Sequence, residues 1–180
     1  MVYVALLRGI NVGGKHTVAM ARLKSTFEAL GLENVSTFIN SGNVIFTTSE
    51  TDEAKLCTRI EKAIEKDFGF AVPTLLRNLT QMHAFMKQLP KNWHNDDRHK
   101  CDVMFLWPGY DKPGVVDLIK IKPEIEELKY IPGALVWRIG RADVRRGSTA
   151  TIIGSDLYKQ MTIRNANSVR KIYALMQALA

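Results

Sequence analysis

The run Gly9-Ile10-Asn11-Val12-Gly13-Gly14-Lys15-His16 sets four residues between two glycines and puts a lysine after the second. A nucleotide phosphate loop has that spacing but needs Ser or Thr after the lysine to hold magnesium. Here His16 occupies the position, and Thr17 is one place too late. A looser chemistry survives. Backbone N–H groups of a glycine turn at a helix N-terminus, with Arg8 and Lys15 beside them, suit a phosphate, a sulfate or a carboxylate. The competing reading is a strand-to-helix turn that needs Gly13 and Gly14 for geometry alone.

A second group of donors lies near the C-terminus, in Thr162-Ile163-Arg164-Asn165-Ala166-Asn167-Ser168. Thr162 or Asn165 can cap a helix starting there, which by itself accounts for the Asn and Ser types. Capping does not call for Arg164. An arginine at a helix N-terminus opposes the dipole unless an anion or acidic group compensates it, so Arg164, Asn165, Asn167 and Ser168 form a second candidate anion site. The third group, Asn40-Ser41-Gly42-Asn43, is explained by a tight hairpin, and its Asn40, Ser41 and Asn43 reach a ligand at the glycine loop only if the fold brings the two together. The expected ligand contacts are therefore Arg8, Asn11, Gly13, Gly14, Lys15 and these two groups.

Other chemistry finds less support. His94-Asn95-Asp96-Asp97-Arg98-His99 offers nitrogen and oxygen atoms, but in no metal-site spacing and with cations interleaved, so a solvated loop and no metal site are expected. Cys57 and Cys101 form no CxxC pair and read as buried small hydrophobes in a reduced cytosol. His16 and His83 have no local partner that would make either a general base, and no carboxylate pair stands out. No reaction and no cofactor can be named from these residues.

The elements that must position these groups alternate along the 180 residues. Residues 2–8 read as a strand, too short and too soon interrupted by Arg8 for a signal-peptide core. After the glycine loop, Met20, Leu23, Phe27 and Leu30 recur at helical spacing up to Gly31. Residues 35–40 and 44–48 form a hairpin around Ser41-Gly42-Asn43. Thr51 or Asp52 caps a helix with the face Leu56, Ile60, Ile64 and Phe68, ended by Gly69, and residues 70–76 give a fourth strand. This is the split βαβ order. A short helix over 80–89 and a polar loop over 90–100 follow. A strand over 102–107, a helical stretch over 115–121, and strands over 127–130 and 134–139 around Pro132-Gly133 then begin the pattern again. At its end the sequence reads as helix, over 150–161 and 165–179, rather than strand. Val169, Ile172, Tyr173, Met176 and Leu179 form one apolar stripe on the last helix, which is expected to pack into the core. The expected fold is α+β, with tandem ferredoxin-like (split βαβ) halves, antiparallel sheets and an extra C-terminal helix. The halves are residues 1–78 and 101–180, joined by 79–100.

Composition agrees with a globular chain, at 46% hydrophobic and 24% charged residues. No stretch reaches the roughly 18 uncharged apolar residues of a membrane span. The formal net charge is +7, and residues 138–180 hold eight Lys and Arg against two Asp. Such a field favours anionic partners and also simply keeps a protein soluble.

Taken together, Arg8-Gly9-Ile10-Asn11-Val12-Gly13-Gly14-Lys15, Asn40-Ser41-Gly42-Asn43 and Thr162 to Ser168 resemble a family of uncharacterised bacterial proteins, domain of unknown function 1697, over essentially the whole chain. The resemblance implies a duplicated ferredoxin-like fold and no established activity. The family often has an aromatic residue after the Asn of its last motif and a threonine further on, where this chain has Ala166 and Ser168, so a contact of that ring with a base or sugar, if the family's site uses one, is not expected here. The expectation is a cytoplasmic protein that binds a small anionic or phosphorylated ligand, a nucleotide among the candidates, at a glycine loop and a helix N-terminus. The alternative is nucleic-acid binding through the basic C-terminal segment, although Tyr3 and Phe46 do not make the paired aromatics of an RNA-recognition sheet.

Overall fold

The computed structural model describes residues 1–14 and 16–180; Lys15 of the glycine loop lies outside them. The chain divides into two compact units, Met1–Met82 with Ile172–Ala180, and His83–Lys171.

The first unit runs β1 (Val2–Leu7), α1 (Met20–Ala29), β2 (Glu33–Phe38), β3 (Asn43–Thr47), α2 (Glu53–Phe68) and β4 (Thr74–Asn78). Its sheet is antiparallel in the order β2-β3-β1-β4, with Val4 opposite Ile45 on one side and Arg77 on the other. All six residues of β1 are buried, as a central strand covered on both faces requires. Alternation then sends Tyr3, Ala5 and Leu7 to one face, where they join Val44, Phe46 and Leu76. Leu23 and Phe27 of α1 and Leu56, Ile60 and Ile64 of α2 close that core. The ends of α2 are set by local chemistry. Asp52 accepts a hydrogen bond from the Lys55 amide at 3.0 Å, and Gly69 ends the helix in the left-handed region at φ 79°.

The second unit repeats the strand order. Its strands β5 (His99–Leu106), β6 (Glu126–Ile131), β7 (Ala134–Gly140) and β8 (Met161–Asn165) form an antiparallel sheet ordered β6-β7-β5-β8. The helical stretch expected over 115–121 is a 3-10 helix, Pro113–Leu118, preceded by a shorter one at Pro108–Tyr110. Two helices, α3 (Leu79–Gln88) and α6 (Ala166–Gln177), carry the chain from one unit to the other. On α6, Val169, Ile172 and Met176 of the apolar stripe are fully buried and Tyr173 half-buried, and Leu179, also half-buried, lies just past the helix end. The chain is thus α+β with two four-stranded antiparallel sheets.

The end of the chain departs from expectation. In place of one helix over 150–161 there are two single turns, α4 (Thr149–Ile152) and α5 (Asp156–Lys159), separated by Gly154 at φ 90°. The strand that seemed missing is β8, whose Ile163 lies opposite Met104 and whose Arg164 lies opposite Val103. Thr162 and Ile163 suit a pleated strand, and an open side of β5 is available to pair with them. Arg164 is accordingly a strand residue just ahead of α6, and the cap of that helix is Asn165 rather than Thr162. A second correction concerns the glycine loop, because α1 begins only at Met20, beyond the buried Val18, so the loop does not open directly into the helix. No helix among the described residues is long and apolar enough to cross a membrane.

Candidate functional site

In the first unit the neck of the glycine loop is held by the Asn11 side chain. Asn11 has φ 54°, a conformation its short amide side chain tolerates. Its Nδ2 donates to Val18 O at 3.0 Å while its Oδ1 accepts from Val18 N at 2.8 Å, so the amide acts as a strand partner for Val18. The Asn11 backbone N–H donates to His16 O at 3.1 Å, which completes the neck. Beyond it Gly13 and Gly14 stand exposed at φ 59° and 72°, with open space where a Cβ would be. The His16 ring stacks 4.7 Å from Phe70.

The neck is tied to its neighbours. Asn11 Nδ2 also donates to Asn40 O at 2.9 Å, and the half-buried Arg8 donates its backbone N–H to Pro73 O at 2.9 Å. Arg8, Asn11, Gly13, Gly14, Asn40 and Ser41 therefore gather where β1 ends, β2 turns into β3 and the chain approaches β4. Asn43 is a different case. It is fully buried, and its Nδ2 donates to Phe38 O at 2.9 Å and Ser41 Oγ at 3.0 Å, so it stitches the turn from inside and presents nothing outward.

Arg164, Asn165, Asn167 and Ser168 belong to the second unit. Arg164 is 6% exposed, and its Nη1 donates to Thr162 Oγ1 at 2.9 Å and Ile163 O at 2.8 Å. Burial pushes its guanidinium down to about 10, which leaves it charged at neutral pH. Asn165 is a helix cap, its Oδ1 accepting from the amide of the buried Ser168 at 2.8 Å. The pair has a counterpart in the first unit. Arg77 of β4 donates from Nη1 to Leu76 O at 2.9 Å, and Asn78 Oδ1 accepts from Gln81 N at 2.9 Å. An Arg-Asn step at a strand-to-helix junction thus recurs in both units as an architectural device, and the repetition of Arg-Asn at positions 77–78 and 164–165 was the sequence signal for it.

Asn167 also has a structural task. Its Oδ1 accepts from Asn95 N at 3.1 Å and its Nδ2 donates to Asn95 O at 2.8 Å, while the Asn95 side chain grips the Cys101 backbone in the same two-way manner. Asn167→Ala should lower stability by about 1–2 kcal/mol by removing this pair, visible as a fall in melting temperature with ligand binding elsewhere unchanged.

A densely bonded polar group of the second unit was not singled out by the sequence. The Glu126 carboxylate is 3% exposed. It accepts from Trp137 Nε1 at 2.7 Å, from the amides of Lys122 at 2.8 Å and Ser148 at 3.0 Å, and from Ser148 Oγ at 3.1 Å. Burial works to raise its pKa, and the hydrogen bonds outweigh that and hold it below the ordinary carboxylate value. Desolvation raises both thiols, Cys57 and Cys101, to about 12, so neither is an activated nucleophile. Among the described residues no three His, Cys, Asp or Glu side chains group to hold a metal ion.

The molecule resembles a solved structure over nearly its whole length. A solved structure of the conserved bacterial protein SP0830 from Streptococcus pneumoniae matches at a TM-score of 0.83 and 30% sequence identity, covering 97% of this chain and 98% of that one. No curated protein matches the chain. The model of the family described as protein of unknown function (DUF1697) matches residues 1–137, three quarters of the length, and the chain belongs to that family.

Proposed function

We propose that the protein binds a small anionic ligand carrying a phosphate or similar group, such as a nucleotide, at the glycine loop of the first unit. The observation that carries this reading is the way Asn11 locks the neck while Gly13 and Gly14 project with their backbone exposed. Loop amides held in that manner present N–H groups without reorganisation when an anion arrives. Arg8 and the Asn40-Ser41 turn border the neck, and the His16–Phe70 stack offers a flat surface beside it. The site handles charge and position; its residues name no chemical step. A cytosolic setting is supported by two free thiols.

Titration with inorganic phosphate, sugar phosphates and mononucleotides tests the reading. A ligand at a hundred times its dissociation constant adds about 2.7 kcal/mol, a thermal shift of several degrees. Asn11→Ala should abolish that shift while costing the unliganded protein about 2–4 kcal/mol, since three hydrogen bonds are lost and alanine is strained at φ 54°. Absence of any shift with the wild type, or an equal shift in the variant, would remove the loop as the binding site.

Nucleic-acid binding is the second reading, favoured by the distribution of charge: the second unit holds sixteen Lys and Arg against ten Asp and Glu, so +6 of the net +7 lies there. It predicts oligonucleotide binding that weakens steeply with salt and is indifferent to Asn11→Ala.

A further inference from the structure

Antiparallel helices α1 and α2 leave an open groove on the outer side of the first unit. Arg22 near the start of α1 donates from Nη2 to Asp67 O at the end of α2, and Arg59 Nη2 donates to Leu30 O at 3.0 Å where α1 finishes. Between these two ties Thr26, Ala29 and Ala63 line a groove of about 410 Å³. That volume lies within the roughly 300–1,000 Å³ of small-molecule sites.

Its lining is divided. Ala29, Leu30 and Ala63 provide an apolar floor, and Arg59, Lys62 and Lys66 stand along one wall on successive turns of α2. Lys62 and Lys66 are four apart, so their like charges repel along the helix. Neither forms an ion pair among the described residues. The acid that lines the groove, Asp67, is engaged by the Thr26 hydroxyl, and Glu61 and Glu65 line a neighbouring depression that shares Lys62 with the groove. An inorganic anion would meet the cations and leave the floor wet. A neutral apolar molecule would cover the floor and leave the cations unused.

We propose that this groove binds an amphiphilic anion, a phosphate or carboxylate joined to a short hydrocarbon chain, with the head group on Arg59, Lys62 and Lys66 and the chain on Ala29, Leu30 and Ala63. The site is separate from the glycine loop and uses none of its residues.

Calorimetric titration with octyl phosphate, octanoate, octanol, inorganic phosphate and octyltrimethylammonium tests it. Octyl phosphate or octanoate should bind at least tenfold more tightly than any of the other three. The double variant Lys62→Glu/Lys66→Glu, exposed positions that leave the core untouched, should weaken that binding tenfold or more. Ala63→Leu, which fills the floor, should do so without changing charge. Asn11→Ala should leave the affinity as in the wild type, which keeps this test independent of the glycine-loop reading. No binding of either amphiphilic anion, equal affinity for inorganic phosphate or octanol, or affinity unchanged in both groove variants would overturn the proposal.

Discussion

Glu126→Ala should lower the stability of the protein by about 3–5 kcal/mol, as removal of one partner from a buried charged network does. For a chain of this length that is a fall on the order of 10 °C in melting temperature. The loss does not come from apolar contact. Truncation strands the Trp137 indole N–H, the Lys122 and Ser148 amides and the Ser148 hydroxyl, all of which point at the carboxylate. A buried donor left without a partner costs about 1–3 kcal/mol, and local relaxation keeps the sum below four such penalties. Glu126→Gln keeps the volume but turns an NH2 toward donors, so it should fall between wild type and Glu126→Ala. The pH dependence has a definite sign. Because the folded carboxyl lies below its ordinary value, its stabilising contribution is fully present above an unfolded pKa of about 4.3 and is lost as the pH drops below that toward the folded value. The gap in melting temperature between wild type and Glu126→Gln should be constant near neutrality and narrow under acid conditions. A gap that stays constant into strong acid would mean that the carboxylate's charge is not what those donors require.

Glu126 also shows where reading the sequence reaches its limit. Its partners lie 4, 11 and 22 residues along the chain, and nothing in their spacing forms a motif. The same holds for Asn167 and Asn95, 72 residues apart, whose reciprocal bonds clamp two distant segments together. Features written in local chemistry were legible. The Asp52 cap and Gly69 stop of α2 depend on residues within one turn, and β1 declares itself as an apolar run too short for a helix. The last strand was hidden because Met161 to Asn165 is only five residues long and passes straight into the α6 cap with no turn residue between, so helical periodicity extends backward over it. What makes it a strand is pairing with β5, roughly sixty residues earlier in the chain. Arg164 was displaced with it. Of the three polar groups, the glycine loop and the Asn40-Ser41 turn meet through the Asn11 side chain, a contact that spacing permitted but could not require.

Gly42→Ala tests whether that meeting is sterically fixed, and it should cost about 2–5 kcal/mol. Two effects add. Gly42 has φ 73°, where an L-residue is strained by roughly 1–2 kcal/mol. A Cβ there would also lie 2.7 Å from Leu7 Cβ and 2.7 Å from Ile10 Cδ1. The Ile10 methyl can swing away. The Leu7 Cβ cannot, because it is fixed to the backbone of β1 between two neighbouring strands, and forcing an extra methyl into such packing costs about 1–3 kcal/mol. Gly14→Ala is the matched control, with φ 72° but no atom within 4 Å of the added Cβ, so it bears the backbone term alone. The melting temperature of Gly42→Ala should therefore fall at least about half as far again as that of Gly14→Ala. Equal falls would show that close approach to β1 contributes nothing. The two variants should also differ in what happens to the loop. Relief of the clash moves the hairpin turn away from β1, straining the Leu7 N–H bond to Gly42 O at 2.8 Å and the neighbouring Asn11 bond to Asn40 O. The neck then loses one of its anchors in Gly42→Ala, whereas Gly14→Ala leaves every anchor in place. If the glycine loop holds a phosphate, its affinity should drop in Gly42→Ala even at a temperature where that variant is fully folded, because the substitution disturbs the frame that presents the loop.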